Sequence, residues 1–161
     1  MNRLFFWPDR RRYVLVTQPA LAAMYPHAQR KFWQKEAGGE WFSPDPDTHG
    51  IIITAAKGPV PADQRARTSF QQDVDQAYQA RLDQFALSRH AVGLWHTHPD
   101  PVPFPSALDL RTTRAYLETF GADRNVYLLA ILGNRSHPPF LKVWAVSLDT
   151  QGVVELYEAA E

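Results

Sequence analysis

Residues 93–110 read GLWHTHPDPVPFPSALDL: an apolar run ending in two histidines one residue apart, a proline-rich stretch, then a serine and an aspartate three residues apart. In an extended strand, side chains two apart share a face and lie about 6.6 Å apart along the chain. His96 and His98 therefore aim at one point, while Trp95 and Thr97 face the other way. Pro99, Pro101, Pro103 and Pro105 stiffen the segment that follows and reduce the entropy lost when it closes. Ser106 and Asp109 have the spacing of a capping box at a helix start, and that start turns Asp109 toward the histidine strand. Two imidazoles and a carboxylate form a nitrogen–oxygen ligand set for a divalent metal. Zinc with a free position for water uses such a set, and so does non-haem iron.

Working outward, the stretch reads as strand, turn and helix. Ala91–His98 is the strand, and the helix runs from Ser106 to about Phe120, closed by Gly121, with Leu110, Leu117 and Phe120 on one side. Upstream, Gln71–Arg89 places Val74, Tyr78, Leu82 and Phe85 at intervals of four, four and three, which predicts an amphipathic helix. Residues 12–17 (RYVLVT) and 50–56 (GIIITAA) read as strands, the second leaving through a turn at Gly58-Pro59 and Pro61. Between them, Gln18–Lys35 is expected to be helical in its second half, with Leu21, Tyr25, Ala28 and Phe32 as its stripe. Pro26 marks a kink or break, and Gly38 and Gly39 are the expected stop. Asn125–Leu132 and Phe140–Leu148 are two further strands. The GNRSHPP loop joining them is too short for a crossover helix, so they should pair antiparallel. The tail VVELYEAAE fits either type. The whole predicts a single α/β domain over residues 1–161, a mixed β-sheet flanked by helices.

Composition narrows the function. Lysine plus arginine equals aspartate plus glutamate at 17 each, which leaves no net field to hold a polyanion despite the Arg10–Arg12 cluster, so nucleic acid is not an expected partner. With no cysteine, disulfides, thiolate zinc sites, a cysteine nucleophile and the cysteine-ligated nucleobase deaminases are all excluded. The apolar run Leu4–Trp7 is too short for a signal-peptide core, and no segment approaches the roughly 18 apolar residues of a membrane span. No membrane partner and a cytoplasmic location are expected. Trp95 and Trp144 are expected in the core, Phe104 borders the candidate metal site, and His27, His49, His90 and His137 read as structural or surface residues.

The pattern histidine, one residue, histidine, seven residues, serine, two residues, aspartate resembles the signature of the JAMM metalloproteases, also called MPN or JAB proteins; His96, His98, Ser106 and Asp109 match it without a gap. The resemblance implies a cytidine-deaminase-like architecture and a zinc ion held by His96, His98 and Asp109. It also implies hydrolysis of peptide or isopeptide bonds, often those joining ubiquitin-like proteins to targets, with Ser106 meeting the developing oxyanion. The family requires an upstream glutamate in a Glu-x-Gly-Gly setting. KEAGGEWF supplies Glu36 ahead of Gly38 and Gly39, so Glu36 is assigned as the general base, with Glu40 its competitor. From Tyr13 to Leu148 the chain looks like the bacterial branch encoded beside ubiquitin-activating and ubiquitin-conjugating enzyme homologues, including CBASS-type antiphage islands. Implied partners are therefore a ubiquitin-like protein or its conjugates, together with such enzyme homologues. The family also contains catalytically silent scaffolds, but these typically lack one or more ligands, and here the set is complete.

Overall fold

The most apolar stretch of the chain, Tyr127–Leu132 (YLLAIL), is buried at every position, as a strand covered on both faces must be. It is the middle of a computed structural model that describes residues 1–149 and 152–160. In chain order the strands before it are β1 (Arg3–Phe6), β2 (Tyr13–Val16), β3 (Gly38–Ser43), β4 (Gly50–Ile53), β5 (Ala55–Lys57), β6 (Gln64–Ala66), β7 (Ser69–Gln71) and β8 (His90–Thr97). Tyr127–Leu132 is β9, followed by β10 (Leu141–Val146), β11 (Val153–Glu155) and β12 (Tyr157–Glu158). The helices are α1 (Gln18–Met24), α2 (Val74–Ala86) and α3 (Ala107–Glu118).

Six strands form the main sheet in the order β11-β10-β9-β8-β3-β5. β8 and β9 run parallel with α3 as their crossover, whereas β9–β10 and β3–β8 are antiparallel, so the sheet is mixed. A second sheet, β12-β1-β2-β4, and a small β6–β7 hairpin complete the β-structure among the described residues. Alternation along β9 divides the core in two. Leu128, Ala130 and Leu132 join one cluster with α1 and the second sheet, while Tyr127, Leu129 and Ile131 join another beneath α3 with Leu110, Leu117 and Phe120. Each fully buried leucine or isoleucine among them is worth about 1.5–3 kcal/mol relative to exposure. Trp95 and Trp144 are buried as expected. Among the described residues no helix is long and apolar enough to cross a membrane.

Three expectations are corrected. The helix within 18–35 occupies the first half, not the second. It starts with Pro19 in its first turn, where no N–H is needed, and gives way to a 3-10 turn at Tyr25–His27. Pro26 has no N–H to donate to the Ala22 carbonyl, so the α-helical ladder ends although Tyr25 itself stays right-handed helical; the chain turns extended at Ala28, and Phe32 stands 76% exposed. Gly38 and Gly39 do not stop a helix; they open β3. The third correction concerns α2, which exists where the periodicity puts it but docks with the opposite face. Ala77, Ala80, Arg81 and Gln84 turn inward, while Val74, Tyr78, Leu82 and Phe85 are 75%, 62%, 45% and 66% exposed. Polar anchors replace apolar burial: Asp73 caps the helix by accepting the Gln76 N–H, Asp63 accepts the Asp73 N–H, and Arg81 reaches down to Glu40. The tail, open from sequence, forms β11 and β12; Glu161 lies outside the described residues.

Candidate metal centre

β8 delivers the two histidines. The pairing of β3 with β8 is offset between Trp41 and Phe42, where Trp41 faces Gly93 and Phe42 faces Ala91, so Val92 is an extra residue. Such a bulge resets the alternation, and Ala91 and Leu94, three apart, both fall in the cluster beneath α3. His96 follows Leu94 on that face, while Trp95 joins the opposite cluster. Gly38 pairs with His96 and Gly39 with Trp95. A Cβ at Gly38 would press on the Trp95 carbonyl and the Phe70 ring, and one at Gly39 would overlap the Lys57 carbonyl. The glycine pair is there for close approach of strands beside the site.

The start of α3 delivers the carboxylate. Ser106 Oγ accepts the Asp109 N–H at 3.0 Å, and Asp109 Oδ2 accepts the Ser106 N–H at 2.8 Å, so the capping box is complete. The serine oxygen is used as an acceptor, which leaves its proton for donation. Held this way, Asp109 places Oδ1 3.3 Å from His96 Nε2 and Oδ2 3.2 Å from His98 Nε2, and the two Nε2 atoms lie 3.0 Å apart. Ligands at zinc's bond lengths around one tetrahedral ion are separated by about 3.3 Å. The three residues, whose ligand atoms lie within 4.8 Å of one another, thus fit a single metal ion. Two ring nitrogens 3.0 Å apart beside a carboxylate need a cation or a proton between them, the role of each imidazole depending on its tautomer. Burial resists ionisation of Asp109, but hydrogen bonds from His96, His98 and the Ser106 N–H outweigh it and hold the carboxyl well below the usual range. Burial likewise opposes charge on His98, yet Asp109, Glu36 and Asp100 raise it above its ordinary value.

Glu36 reaches the same cavity from the segment before β3. It is 5% exposed, and burial is the main reason its carboxyl rises to about 7; His98 pulls it down, and Asp109 and Asp100 push it up. Its backbone is pinned on both sides, the N–H donating to the Ala66 carbonyl at 2.8 Å and the carbonyl accepting Arg65 Nε at 2.6 Å. The competitor Glu40 lies elsewhere, 2% exposed, paired with the Arg81 guanidinium and accepting the Tyr127 hydroxyl at 3.3 Å. Its carboxylate is turned to Arg81 and Tyr127, and Glu40 is absent from the cavity wall.

The cavity, about 630 Å3, is lined by Glu36, His96, His98, Ser106 and Asp109 together with Ser69 and Phe70 of the hairpin, Val74 of α2, and Leu108 and Tyr116 of α3. The hairpin wall was not legible as strands: two three-residue segments, mostly polar, give no periodicity, and Phe70 is their single large apolar residue. Phe104 does not line the cavity; it is 62% exposed with the Lys142 ammonium 4.6 Å from its ring centre. His27 lies against Trp95, His90 against Phe85, and His49 and His137 are exposed.

Comparison with known proteins follows the same lines. A family model described as prokaryotic homologs of the JAB domain matches residues 17–146. A "CD-NTase/cGAS isopeptidase" of Escherichia coli (strain TW11681) is 28% identical over 115 residues, 70% of this chain and 73% of that protein. The solution structure of protein DSY2949 from Desulfitobacterium hafniense shares the fold, with a TM-score of 0.65 at 22% identity over 87% of each chain.

Proposed function

Because the chain belongs to the prokaryotic homologs of the JAB domain, we propose that it is a zinc-dependent isopeptidase. Its substrate is the amide bond joining the C-terminus of a protein to a lysine amine or to the backbone amine of a C-terminal extension. The observation that carries this reading is the convergence of His96, His98 and Asp109 in one cavity with a buried Glu36 and the Ser106 hydroxyl. A zinc ion held by the three ligands would supply Lewis acidity, polarising a carbonyl and lowering the pKa of water toward about 7. Glu36, with its carboxyl near 7, is poised to take a proton from the attacking water at neutral pH. The water oxygen joins the carbonyl carbon, the C–N bond breaks, and Glu36 passes the proton to the leaving amine. Ser106 donates to the carbonyl oxygen as charge develops there, a contribution of about 3 kcal/mol for one such donor.

The Escherichia coli relative is named for acting on CD-NTase/cGAS, which supports a conjugate as the natural substrate and a place in an antiphage pathway of that kind. A ubiquitin-like protein carries the same chemistry, a flexible C-terminus in amide linkage. The outward stripe of α2 supports a folded substrate body, since Val74 both opens the stripe and walls the cavity, so a body resting there can feed its tail to the metal. The other reading, a silent scaffold, gains nothing from a site whose ligands and base all converge. The decisive experiment pairs Glu36→Gln with the parent protein, zinc loaded, on two fusions sharing one C-terminal passenger. One is a CD-NTase and the other a ubiquitin-like protein. Chelator-sensitive release of the passenger by the parent, and a loss of about 10²–10⁴-fold in Glu36→Gln with zinc retained, is expected. An inactive parent, or an active Glu36→Gln, defeats the proposal.

A further inference from the structure

Thr97 stands between the two histidines and faces away from them, and its surroundings are fully polar-paired in a place where solvent does not reach. It is 0% exposed, and its neighbour Gln29 is 2% exposed. The Thr97 hydroxyl accepts the Ala37 N–H at 3.0 Å and donates to Gln29 Oε1 at 2.8 Å. The direction is forced, because a backbone N–H only donates and the hydroxyl proton must then go to the amide oxygen. Gln29 in turn donates through Nε2 to the Arg67 carbonyl at 2.8 Å and the Gln34 carbonyl at 3.2 Å. The Thr97 N–H donates to the Ala37 carbonyl at 2.8 Å. Both polar groups of the Ala37 backbone are therefore held by one residue of the histidine strand.

Glu36 is the residue before Ala37, and its own N–H is tied to Ala66 of the hairpin. Gln29 thus fastens three bodies together: the histidine strand through Thr97, the Glu36 segment through Gln34, and the hairpin wall through Arg67. Nothing in the segment 28–37 is regular secondary structure after the turn at Tyr25–His27, so no ladder holds it in place. Buried polar groups are retained where each one is satisfied and the arrangement they specify is unique. We propose that Thr97 and Gln29 are positioning residues for amide hydrolysis, setting the Glu36 carboxylate against the histidine–aspartate triad without touching the reacting atoms. This rests on the reading of Glu36 as the base.

Thr97→Val removes the hydroxyl while keeping the shape; Thr97→Ser keeps the hydroxyl. With the zinc-loaded protein and the fusion substrate above, Thr97→Val should lose about 10–100-fold in kcat, the scale of a small misplacement of a reacting group. KM and the zinc stoichiometry should stay at the parent values, and Thr97→Ser should restore kcat. Amide hydrogen exchange at Ala37 should quicken in Thr97→Val and remain slow in Thr97→Ser. In a Glu36→Gln background, Thr97→Val should cost less than about threefold more, because the group it positions is gone. An equal further loss there marks a general structural role and overturns the inference. If Thr97→Val does not fold, Gln29→Leu, which leaves the Ala37 bond intact, is read by kcat, KM, zinc stoichiometry and the Glu36→Gln background. Parent-like kcat in the folded variants, beside an inactive Glu36→Gln, overturns the positioning role and leaves the base reading standing. A fully active Glu36→Gln overturns both.

Discussion

Arg81 is the residue whose removal tests the docking of α2 most sharply. Its Nε lies 2.9 and 3.1 Å from the two Glu40 oxygens, and its guanidinium sits 5.0 Å from the Tyr116 ring centre and 5.7 Å from that of Phe120. Arg81→Met keeps the length of the side chain but leaves Glu40, 2% exposed, with the Tyr127 hydroxyl as its remaining hydrogen bond. Stranding one member of a buried pair costs about 3–5 kcal/mol. For a domain of this size that corresponds to a melting temperature lower by roughly 6–20 °C. The penalty carries a pH signature. Burial is the largest influence on Glu40 and raises its carboxyl, while Arg81 is the main opposing one, so the variant's carboxyl rises further. A raised folded-state carboxyl gives stability that is present below the unfolded value and is lost as pH rises through the folded one. The deficit of Arg81→Met should therefore be larger at pH 7.5 than at pH 5. Glu40→Gln/Arg81→Met, which strands no charge, should recover most of it. Urea unfolding with chelator present measures all three proteins. A deficit under about 1 kcal/mol at pH 7.5, the scale of an exposed pair, or one that does not shrink at pH 5, refutes the argument.

The metal site makes a second pH prediction. His98 is raised above its ordinary value and Glu36 is raised to about 7, so the stability both contribute is full in acid and lost as pH rises through those values. Metal-free protein should melt lower at pH 8 than at pH 6. Zinc must displace the proton on His98, so its stabilisation should be greater at pH 8; equal zinc-induced shifts at the two pH values count against the site. On α2, Tyr78→Glu should change stability by less than about 0.5 kcal/mol, as for other surface substitutions. It should raise KM severalfold for the folded fusion and leave cleavage of a short tail peptide unchanged. Equal effects on both substrates would remove the stripe from substrate binding.

The cluster of His96, His98 and Asp109 was the most legible part because it depends on short-range geometry. The alternation that puts His96 and His98 on one face, and the box that turns Asp109 toward them, each span a few residues. Glu36 is preferred to Glu40 on the Glu-x-Gly-Gly resemblance alone, with no physical ground in the residues themselves. The difference is made by Arg81, 41 residues further on, and by the pairing of Gly38 and Gly39 with β8. The apolar stripe continues past Pro26 although α1 ends at Met24, so periodicity does not mark the end of this helix. For α2, periodicity identified the helix but not which face the fold covers, since a helix held by Arg81, Gln84 and its cap can leave its apolar side free. The partner of the Thr97 hydroxyl, Gln29, lies 68 residues away and leaves no local signal in the sequence.

The latching of α2 by its polar side separates two selective pressures that most helices must satisfy with the same residues. Folding constrains Ala77, Arg81 and Gln84 and asks little of Val74, Tyr78, Leu82 or Phe85. Those four positions can change at small thermodynamic cost. A library randomised there should yield mostly folded members that diverge in what they bind.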